Sequence, residues 1–533
     1  MKAVNVAFLA SVLAPSSVIA GSQTRDQPSP GPTGSTYPTG FDMTTSWGNL
    51  SPYKPATAFG GFGLPQGVPK GCELSQVHVL HRHAQRYPTN FGDGAVMHDF
   101  AYKVGNYTAK HKNSPVGTGP LEFLNHWQYS MGTDLLLVNG AATEATSGAW
   151  FWSKYGNLLY RAPPGVPSYT PDLNTYPNGT ARPTPVFRTT SQARILESAR
   201  WWLSGFFGNA GANSSYDLYD LVIIPEVEPF NNTLASYDAC PGDESEGDKS
   251  DLIFGAKYTQ AALKRLSAHL PKGFNLTALD VYGMQNLCAY EYALFSGSAF
   301  CSLFTEEEWS AFEYMLDIQY YGDYGFGSPT GRAHGVGYVQ ELAARLENTL
   351  IYSSDTSINY TYDDNTKQFP LGQPFYMDMS HDDTIVGVTT ALGLDYFKFS
   401  DHGLPANVSS PPASRNFRLN KMTPFGARFV SEVWTCPAND SSVFTDLTPV
   451  IYKNPDLSEA KGTARYIRFV LNDAPVPVDG IKACENAVNG FCAVKDFLKD
   501  VPHMVKESDY QRACFANYTV SGQVGNGQPP SEE

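Results

Sequence analysis

Three short segments concentrate arginine, histidine and aspartate in patterns that could bind and cleave a phosphate ester. They are residues 81–86 (HRHAQR), the surroundings of Arg188, and residues 381–383 (HDD). Arginine guanidinium groups match phosphate oxygens two at a time. A neutral imidazole among them, kept neutral by their charge, can attack phosphorus to form a phosphohistidine that water then hydrolyses. A carboxyl group such as that of Asp382 must be protonated to donate to the leaving oxygen, which favours work below neutral pH.

Each segment follows a short apolar stretch typical of a strand and precedes a helical pattern. The predicted strands are residues 75–80 (SQVHVL), 185–187 (PVF) and 375–379 (FYMDM). Helices are predicted after Thr190 and from Thr384 to Leu392. In open α/β sheets, ligands bind outside the carboxyl ends of the strands, where helix N-termini point free N–H groups. The three segments are therefore expected to meet at one edge of a sheet.

The remaining pattern predicts an α/β fold with a second, mainly α-helical domain. Residues 121–150, 251–269 and 306–320 have helical periodicity with little strand signal, and strands return at 427–434 and 466–471. We predict a central mixed sheet with helices on both faces, formed by residues of about 71–100, 180–230 and 370–520. The helical lobe would comprise about 101–179 and 231–369, with the site in the cleft between lobe and sheet.

The two ends of the chain have different compositions from the middle. Lys2, an apolar stretch at 3–13 and the small residues Val18 and Ala20 predict a cleaved signal peptide at residues 1–20. Residues 21–70 are predicted as a Pro/Gly/Ser-rich arm, flexible or extended to about residue 45, and residues 521–533 as a flexible tail. The protein is therefore expected to be secreted, extracellular or in the cell wall.

Sequons and cysteines agree with that compartment. Ten sequons are expected to carry N-linked glycans on surface loops: Asn49, Asn106, Asn178, Asn213, Asn231, Asn275, Asn359, Asn407, Asn439 and Asn517. The eight cysteines predict four disulfides in an oxidising compartment, with the pairing left open by spacing. No CxxC pair occurs, so a zinc site is disfavoured.

Charge excludes two classes of partner. The formal charge is −15, from 52 acidic and 37 basic residues, and provides no footprint for nucleic acid or an anionic membrane surface. After the first 20 residues, no apolar run is long enough to span a membrane. A small anionic molecule bound in a local pocket is the expected partner, and the oligomeric state is not predicted.

Residues 82–88 (RHAQRYP) resemble the first motif of the histidine acid phosphatase family, Arg-His-Gly-x-Arg-x-Pro, whose secreted fungal branch includes phytases. The resemblance implies that His83 is the nucleophile and that Asp382 is the proton donor. It further implies phosphate binding by Arg82, Arg86, His381 and, within VFRTTSQARILESA, Arg188. No metal or other cofactor is implied. The implied substrates are phosphomonoesters, with phytate (a 3-phytase activity) accepted to an extent that the sequence leaves open.

The resemblance extends from Cys72 to Ala516, within a histidine phosphatase region of residues 71–520. It includes the segment YIRFVLNDAPVPV and the ending CFA. By analogy with the fungal branch, the disulfides would be Cys72–Cys436, Cys240–Cys514, Cys288–Cys301 and Cys484–Cys492.

Two departures from the family pattern bear on activity and substrate. Ala84 replaces the motif glycine, which would cost about 1 kcal/mol or more if the position requires positive φ. Relatives specialised for phytate carry lysines where this chain has Ile318 and Gln319, and a more basic segment around Glu122 and Asn125. Fewer fixed cations weaken selection of a polyanion, so we expect broad phosphomonoester hydrolysis.

Three alternatives stay open at this point. The pair His81-x-His83 after a strand mimics paired ligands of a metal-dependent hydrolase. A catalytically silent member that binds phosphorylated ligands is motivated by Ala84. A phosphohistidine mutase is disfavoured by the predicted secretion. The leading hypothesis is a secreted, metal-independent acid phosphatase that acts through phospho-His83.

Overall fold

The structure is a computed structural model that describes residues 40–59, 67–112, 114–208, 215–242, 246–438, 441–458 and 460–531. The predicted signal peptide (residues 1–20), the predicted arm up to residue 39, and the sequons at Asn213 and Asn439 lie outside the described residues. Within the described ranges, no helix combines the length and hydropathy needed to cross a bilayer.

A mixed β-sheet forms the centre of the fold. The strands are β1 (Val68–Pro69), β2 (Glu73–Arg82), β3 (Val186–Thr190), β4 (Asp220–Ile224), β5 (Phe375–Ser380), β6 (Arg428–Pro437), β7 (Leu447–Thr448), β8 (Thr463–Leu471), β9 (Ala474–Pro475) and β10 (Cys492–Ala493). The main sheet has the order β10-β8-β6-β2-β5-β3-β4, with β9 also paired to β8, while β1 and β7 pair separately. Strands β2, β5, β3 and β4 are parallel to one another, and β6, β8 and β10 run antiparallel to their neighbours.

Helices cover both faces of this sheet, as predicted. They are α1 (Asp93–Lys110), α2 (Val138–Phe151), α3 (Asn157–Leu159), α4 (Ala193–Phe207), α5 (Glu246–Tyr258), α6 (Gln260–Ser267), α7 (Ala278–Phe295), α8 (Glu306–Asp323), α9 (Gly331–Glu347), α10 (Tyr360–Asp363), α11 (Asp382–Ala391), α12 (Leu419–Met422), α13 (Val494–Ser508) and α14 (Tyr510–Phe515). Strands β3 and β5 are buried at every position, which is typical of parallel strands covered on both sides.

Two apolar clusters fill the interior on opposite faces of the sheet. On one face, Phe151 of α2 and Trp202 of α4 pack on Phe375 of β5. The other face packs against α9, α11 and α13, and this cluster continues into the lobe formed by α1 and α5–α8. Helices α9 and α11 cross closely: a Cβ atom on Gly335 would lie 2.1 Å from the carbonyl oxygen of Gly387. That contact holds α11, whose first residue is Asp382, near the sheet.

The predicted division into sheet domain and lobe is only partly correct. Helices α2 and α9 fall within the segments assigned to the lobe, yet α2 packs against the sheet and α9 lies beside α11 and α13. Periodicity identifies a helix and its apolar face, but both the sheet and the lobe offer apolar surfaces to cover it. The sequence therefore could not assign these two helices to a layer.

The predicted arm (residues 21–70) and the predicted flexible tail are both packed where they are described. In the arm, Trp47 is 1% exposed, with its ring centroid 5.2 Å from that of Tyr292. In the tail, the side chain of Gln523 accepts from the N–H of Leu404 at 2.9 Å and donates to the carbonyl of Ile318 at 3.1 Å. The composition of both segments is dominated by Pro, Gly and Ser, so the sequence pattern does not reveal the few residues that anchor each segment.

The four disulfides implied by the resemblance are confirmed. Cys72–Cys436, Cys240–Cys514, Cys288–Cys301 and Cys484–Cys492 are all paired. Cys72–Cys436 joins the residue before β2 to the penultimate residue of β6, at the end of β2 opposite the one from which residues 82–86 emerge.

Candidate active site

Two of the three predicted segments meet because β2 and β5 end side by side. In the parallel register, Arg82 lies opposite Ser380, and the N–H of His83 donates to the carbonyl of Ser380 at 3.1 Å. Residues 82–86 and 381–383 therefore leave adjacent strands at the same edge of the sheet. This edge is where ligands bind in open α/β sheets.

The imidazole of His83 is buried and held in one orientation. It is 1% exposed, and its Nδ1 lies 2.8 Å from the carbonyl oxygen of Ala84. A carbonyl can only accept, so Nδ1 carries the proton and Nε2 keeps its lone pair. Burial, followed by the charges of Arg82, Arg194 and Arg86, lowers the pKa of His83 well below its usual value. The imidazole is therefore neutral in mildly acidic solution.

Arg82 supplies positive charge that is only partly neutralised. Its Nη1 donates to the backbone carbonyls of Asn49 and Thr423, and its Nη2 lies 2.7 Å from Oδ2 of Asp382. Its buried Nε has no hydrogen-bond partner among the described residues. Backbone carbonyls carry no net charge, so among these contacts only Asp382 brings a negative charge to Arg82. The guanidinium group also keeps an unused donor at Nε.

Arg86 and Arg194 complete a set of three guanidinium groups around His83. Nη1 of Arg86 donates to the hydroxyl of Tyr290 at 3.0 Å. Arg194 lies in the first turn of α4, 3.3 Å from the carboxylate of Asp134, and acts electrostatically on both His83 and His381. Its Nε, like that of Arg82, is buried without a partner within the described ranges. Such donors are suited to an oxyanion.

Arg188 is placed elsewhere, which corrects the prediction that it binds phosphate. Strand β3 continues through Thr190, so Arg188 sits in the middle of the strand and pairs in register with Asp378. Its guanidinium group forms ion pairs with Asp378, Glu341 and Asp363. Three carboxylates neutralise this cation and occupy its donors, leaving it no capacity for phosphate.

Sequence reasoning missed Arg194, although a signal was present. Arg188 and Arg194 both lie in VFRTTSQARILESA. The predicted strand ends at Phe187, three residues before the observed end of β3 at Thr190. With the strand extended through the β-branched Thr189 and Thr190, Arg194 becomes the arginine that opens the helix. The helix start, and not the strand end, marks the residue that reaches the pocket.

His381 forms the opposite side of the pocket from the catalytic loop, residues 82–88. Its ring centroid is 6.0 Å from that of His83, and its Nε2 lies 3.0 Å from Oε2 of Glu226. Burial alone would lower the pKa of His381, but the carboxylates of Glu226 and Asp383 outweigh burial and raise it. A protonated His381 adds a fourth positive charge to the pocket in acidic solution.

Three donors contact the carboxyl group of Asp382. Oδ2 accepts from the side-chain amide of Asn49 at 2.8 Å and from the hydroxyl of Tyr320 at 3.0 Å, beside its ion pair with Arg82. Burial would raise the pKa of Asp382, but Arg82 and Asn49 dominate and lower it to about 2. The free site therefore holds Asp382 as a carboxylate.

Asn49 corrects a second prediction. Its sequon was expected on a surface loop with a glycan, but Asn49 is 4% exposed and its amide nitrogen contacts Asp382 and Tyr320. A glycan on that nitrogen is incompatible with the folded site. Asn49 belongs to the pocket although it precedes His83 by more than thirty residues, within the segment predicted to be an arm.

The two features that motivated the alternatives have structural explanations. Ala84 is absent from the described non-glycine residues with positive φ, so its methyl group adds no strain of that kind. Both nitrogens of His81 are engaged within the protein, Nδ1 with the carbonyl of Arg82 at 2.7 Å and Nε2 with the hydroxyl of Ser147 at 2.8 Å. Across the described ranges, no group of three or more His, Cys, Asp or Glu side chains is arranged as a metal site.

Comparison with known proteins agrees with this geometry. A family model described as the histidine phosphatase superfamily, branch 2, matches residues 73–472. Phytase A of Aspergillus terreus is 30% identical over 470 residues, covering 86% of this chain and 88% of that protein. Phytase A of Emericella nidulans is 28% identical over 480 residues, covering 88% of this chain and 90% of that protein.

Solved structures share the fold. The phytase from D. castellii superposes with a TM-score of 0.66 at 22% identity, covering 90% of this chain and 89% of that one. The phosphate complex of a Bifidobacterium longum multiple inositol polyphosphate phosphatase gives a TM-score of 0.55 at 13% identity, covering 84% of this chain and 98% of that one. At these identities the likeness establishes the fold alone.

The two arginines of the same segment are expected to behave differently on substitution. Arg194→Ala should weaken inhibition by inorganic phosphate by about tenfold or more, because it removes charge-assisted hydrogen bonds to the anion. Arg188→Met should leave phosphate inhibition of the folded protein unchanged and lower the free energy of unfolding by about 3–5 kcal/mol, because three carboxylates lose their cation. Phosphate inhibition constants and urea unfolding measure both effects. The reverse pattern would restore Arg188 to the phosphate site.

Asn49→Leu should shift the pH dependence of turnover. Losing one donor raises the pKa of Asp382 by about one unit, since a hydrogen bond to a charged group contributes about 1.5–3 kcal/mol. If cleavage requires protonated Asp382, activity falls as pH rises through this pKa, so the falling limb of kcat should move to higher pH. Lys54→Met, in the same segment but exposed, should leave the profile unchanged. An unshifted limb in Asn49→Leu would separate Asn49 from proton donation.

Proposed function

The chain belongs to branch 2 of the histidine phosphatase superfamily, and we propose that it hydrolyses phosphomonoesters through a phosphohistidine at His83. The chain is a phosphatase by family. The observation that carries the proposed route is a buried imidazole whose Nδ1 donates to a carbonyl and whose pKa is lowered by the three guanidinium groups of Arg82, Arg194 and Arg86 around it. In two of them, Arg82 and Arg194, a buried Nε has no hydrogen-bond partner among the described residues. That arrangement attracts a phosphate dianion and presents a lone pair to phosphorus.

In the first step, Nε2 of His83 attacks phosphorus. The N–P bond forms as the bond between phosphorus and the ester oxygen breaks, and the leaving oxygen takes the proton of Asp382. Arg82, Arg86 and Arg194 balance the charge on the phosphoryl oxygens, and protonated His381 adds to their field. Fixed donors of this kind stabilise the transition state without reorganising during the reaction.

Asp382 is a carboxylate in the free site, so substrate binding must help to protonate it. A bound phosphate competes for Arg82, the cation that contributes most to lowering the pKa of Asp382. It also adds negative charge beside the carboxylate. Both effects raise the pKa of Asp382 from about 2, and an acidic medium completes protonation. Acid phosphatase behaviour follows from this coupling.

In the second step, water hydrolyses the phosphohistidine. The Asp382 carboxylate left by the first step takes a proton from water as the water oxygen attacks phosphorus. The N–P bond breaks and its electron pair returns to Nε2 of His83. Asp382 then carries a proton, as it did in the substrate complex, and after phosphate leaves it releases that proton to solvent and returns to the carboxylate of the free site.

A broad range of phosphomonoesters, with phytate among them, is the proposed substrate class. A cavity of about 620 Å³ lies beside the catalytic loop, and no Lys or Arg is among its described lining residues, which include Thr89, His98 and Asp99. Close to the loop in sequence, Phe91 is 74% exposed and Leu135 is 56% exposed. A partly apolar surround whose lining carries no Lys or Arg accepts aryl and alkyl esters and gives a polyanion little extra attraction.

Ile318, Gln319 and Asn125 have structural roles. Ile318 is fully buried, and the side chain of Gln319 donates to Asp248 at 2.7 Å. Asn125 ties a turn by accepting from the N–H of Val116 and donating to the carbonyl of Gly117. The cavity beside the catalytic loop, and not these positions, supports the proposed breadth.

Secretion to the extracellular space or cell wall is also proposed. Four disulfides are stable in an oxidising compartment and are rare in the cytosol. Among the described sequons, Asn178, Asn275, Asn407 and Asn517 lie at exposed positions where glycans can be accommodated.

A substrate panel tests the function and the nucleophile together. p-Nitrophenyl phosphate, a sugar phosphate and phytate are assayed from pH 3 to 8, with and without EDTA. We expect turnover that peaks below neutral pH, is insensitive to EDTA, and falls from the aryl ester to phytate. His83→Ala should lose about 10⁴-fold or more in kcat while still folding, because no other group forms the covalent intermediate. Full activity in His83→Ala, or strict phytate preference, would contradict the proposal.

Asp382→Asn separates proton donation from binding. A good leaving group such as nitrophenolate departs without a proton, whereas an alkoxide does not. The variant should therefore lose about 10²–10⁴-fold in kcat on a sugar phosphate and clearly less on p-nitrophenyl phosphate. Equal losses on both esters would remove the donor role from Asp382.

A further inference from the structure

The carboxylate of Glu226 contacts His381 but takes no part in the bond-making steps described above. Its Oε2 lies 3.0 Å from Nε2 of His381, and the hydroxyl of Tyr237 donates to its Oε1 at 2.6 Å. The same hydroxyl lies 3.3 Å from Nε2 of His381. The side chains of Glu226 and His381 are only 4% and 3% exposed. One buried network therefore joins both carboxylate oxygens of Glu226 to a side chain of the phosphate pocket.

The end of strand β4 positions Glu226. Strands β4, β3 and β5 are parallel, so the residues that follow β4 emerge at the same edge of the sheet as His381, which follows β5. The N–H of Ser191 donates to the carbonyl of Ile224, the last residue of β4, at 2.9 Å. The N–H of Glu226 in turn donates to the hydroxyl of Ser191 at 2.9 Å. These two hydrogen bonds fix the backbone of Glu226 beside the end of β3.

Tyr237 reaches the same imidazole from a different segment. It lies in a short turn of 3-10 helix. Just before that turn, the carbonyl of Leu234 accepts from the hydroxyl of Ser380 at 2.6 Å, and Ser380 is the residue before His381. The ring of Tyr237 meets the ring of His381 edge to face, with their centroids 5.7 Å apart. Glu226 and Tyr237 thus approach His381 from two segments that are each anchored to the sheet edge.

This network decides how the two nitrogens of His381 are used. A carboxylate can only accept, so Nε2 of His381 carries a proton and donates it to Glu226. His381 is the N-cap residue of α11, yet its side chain makes no capping hydrogen bond. Among the described residues, all hydrogen bonds of the imidazole go through Nε2. Nδ1 is therefore the nitrogen that is left for an anion in the pocket.

The same contact keeps His381 protonated. Burial lowers the pKa of His381, but the charge and hydrogen bond of Glu226, followed by the charge of Asp383, outweigh burial and raise it. Burial would raise the pKa of Glu226, but His381 lowers it to about 2. The pair is therefore a carboxylate and an imidazolium ion in mildly acidic solution. Because Nε2–H is directed to Glu226, the second proton of the imidazolium ion lies on Nδ1.

We propose that Glu226 is a positioning residue that binds Nε2 of His381, with Tyr237 orienting its carboxylate, and so reserves the Nδ1 proton of His381 for a phosphoryl oxygen. The inference rests on the proposed function, because it concerns how phosphate is held before His83 attacks. Without the carboxylate, a buried imidazole at this position loses its charge and its fixed orientation. The anion then loses one charge-assisted hydrogen bond.

Inorganic sulfate separates this effect from catalysis. It has the shape and charge of a phosphate dianion and stays a dianion between about pH 4 and pH 8, so a change in its affinity with pH reports titration of the protein. The protonated form of His381 binds the anion, and the pKa of His381 is raised above 6.5. Its contribution to sulfate affinity is therefore complete below pH 6.5 and is lost as pH rises through the raised pKa. Asp382 does not cause this loss, because its pKa in the free site is about 2.

The charged and titratable groups that face His381 come from several elements. They are Glu226 after β4, Arg194 from α4, Tyr237 and Asp238 from the 3-10 turn, Asp382 and Asp383 from α11, and His83 from the catalytic loop. Asp238 needs its own control, because burial and the charge of Glu226 raise its pKa to about 6.

Two substitutions separate the charge of Glu226 from its hydrogen bond. Glu226→Gln keeps an oxygen that accepts from Nε2 but removes the charge, so the pKa of His381 should fall by about two units. Sulfate affinity should then stay within about threefold of wild type at pH 4 and be about tenfold weaker at pH 6. Glu226→Leu also removes the acceptor, so sulfate affinity should be about tenfold weaker at both pH values.

Two control variants complete the design. Glu228→Gln makes the same change two residues later, at an exposed position, and should leave sulfate affinity unchanged at every pH. Asp238→Asn removes a neighbour that titrates in the same range but makes no hydrogen bond to His381. It should shift the pH dependence of sulfate binding much less than Glu226→Gln does. A general effect of negative charge near the pocket is thereby distinguished from the contact between Glu226 and His381.

The readouts are the sulfate dissociation constant by calorimetry, which needs no turnover, and the urea unfolding midpoint of each variant. Superimposed pH dependences for wild type and Glu226→Gln, a Glu226→Gln variant as impaired at pH 4 as Glu226→Leu, or no sulfate binding by wild type would overturn the inference. If Glu226→Leu does not fold, the comparison of wild type with Glu226→Gln at the two pH values decides. Absent turnover of p-nitrophenyl phosphate by wild type would refute the proposed function, whereas turnover with superimposed sulfate curves would refute only the role of Glu226.

Discussion

The structure depends on keeping positive charge buried beside an imidazole without neutralising it. Two arginines from the same dozen residues show the alternatives. Arg188 is surrounded by three carboxylates and serves as a structural cation. Arg194 has one partly exposed carboxylate nearby and unused buried donor capacity. Arg82 pairs with one carboxylate, that of Asp382, and donates its Nη1 hydrogen bonds to backbone carbonyls, which solvate a guanidinium group without cancelling its field. The number of carboxylates supplied to each arginine decides whether it stabilises the fold or attracts an anion.

The placement of charged side chains also sets the pKa values of the titrating groups in the pocket. Arg82 and Asn49 hold the pKa of Asp382 low, while Glu226 holds that of His381 high. A phosphate anion that binds between Asp382 and His381 competes for Arg82 and raises the pKa of Asp382, which favours protonation of that carboxyl group. Catalysis at acidic pH therefore reflects the placement of charge around His83.

Much of this arrangement could be predicted from local patterns. Three features can be read from residues that are close together or simply counted in the sequence. They are the concentration of arginine, histidine and aspartate in HRHAQR and HDD at strand ends, the alternation of strands with helices, and the even number of cysteines. The prediction failed where a choice depended on neighbours distant in sequence. Arg188 and Arg194 look equivalent until the length of β3 is known, and Asn49 looks like a glycan acceptor until the arm folds over the site. In each case the deciding contact comes from another part of the chain.

By itself, the sequence determined the chemistry available and the fold class, because residue type, strand and helix periodicity and compartment signals are local properties. It also determined which histidine follows the central strand and which aspartate opens the helix beside it. Only the tertiary structure decided which arginines keep buried donors without a partner and which sequon is buried. Those outcomes depend on desolvation and on charges that meet across hundreds of residues, and neither quantity exists before the chain has folded.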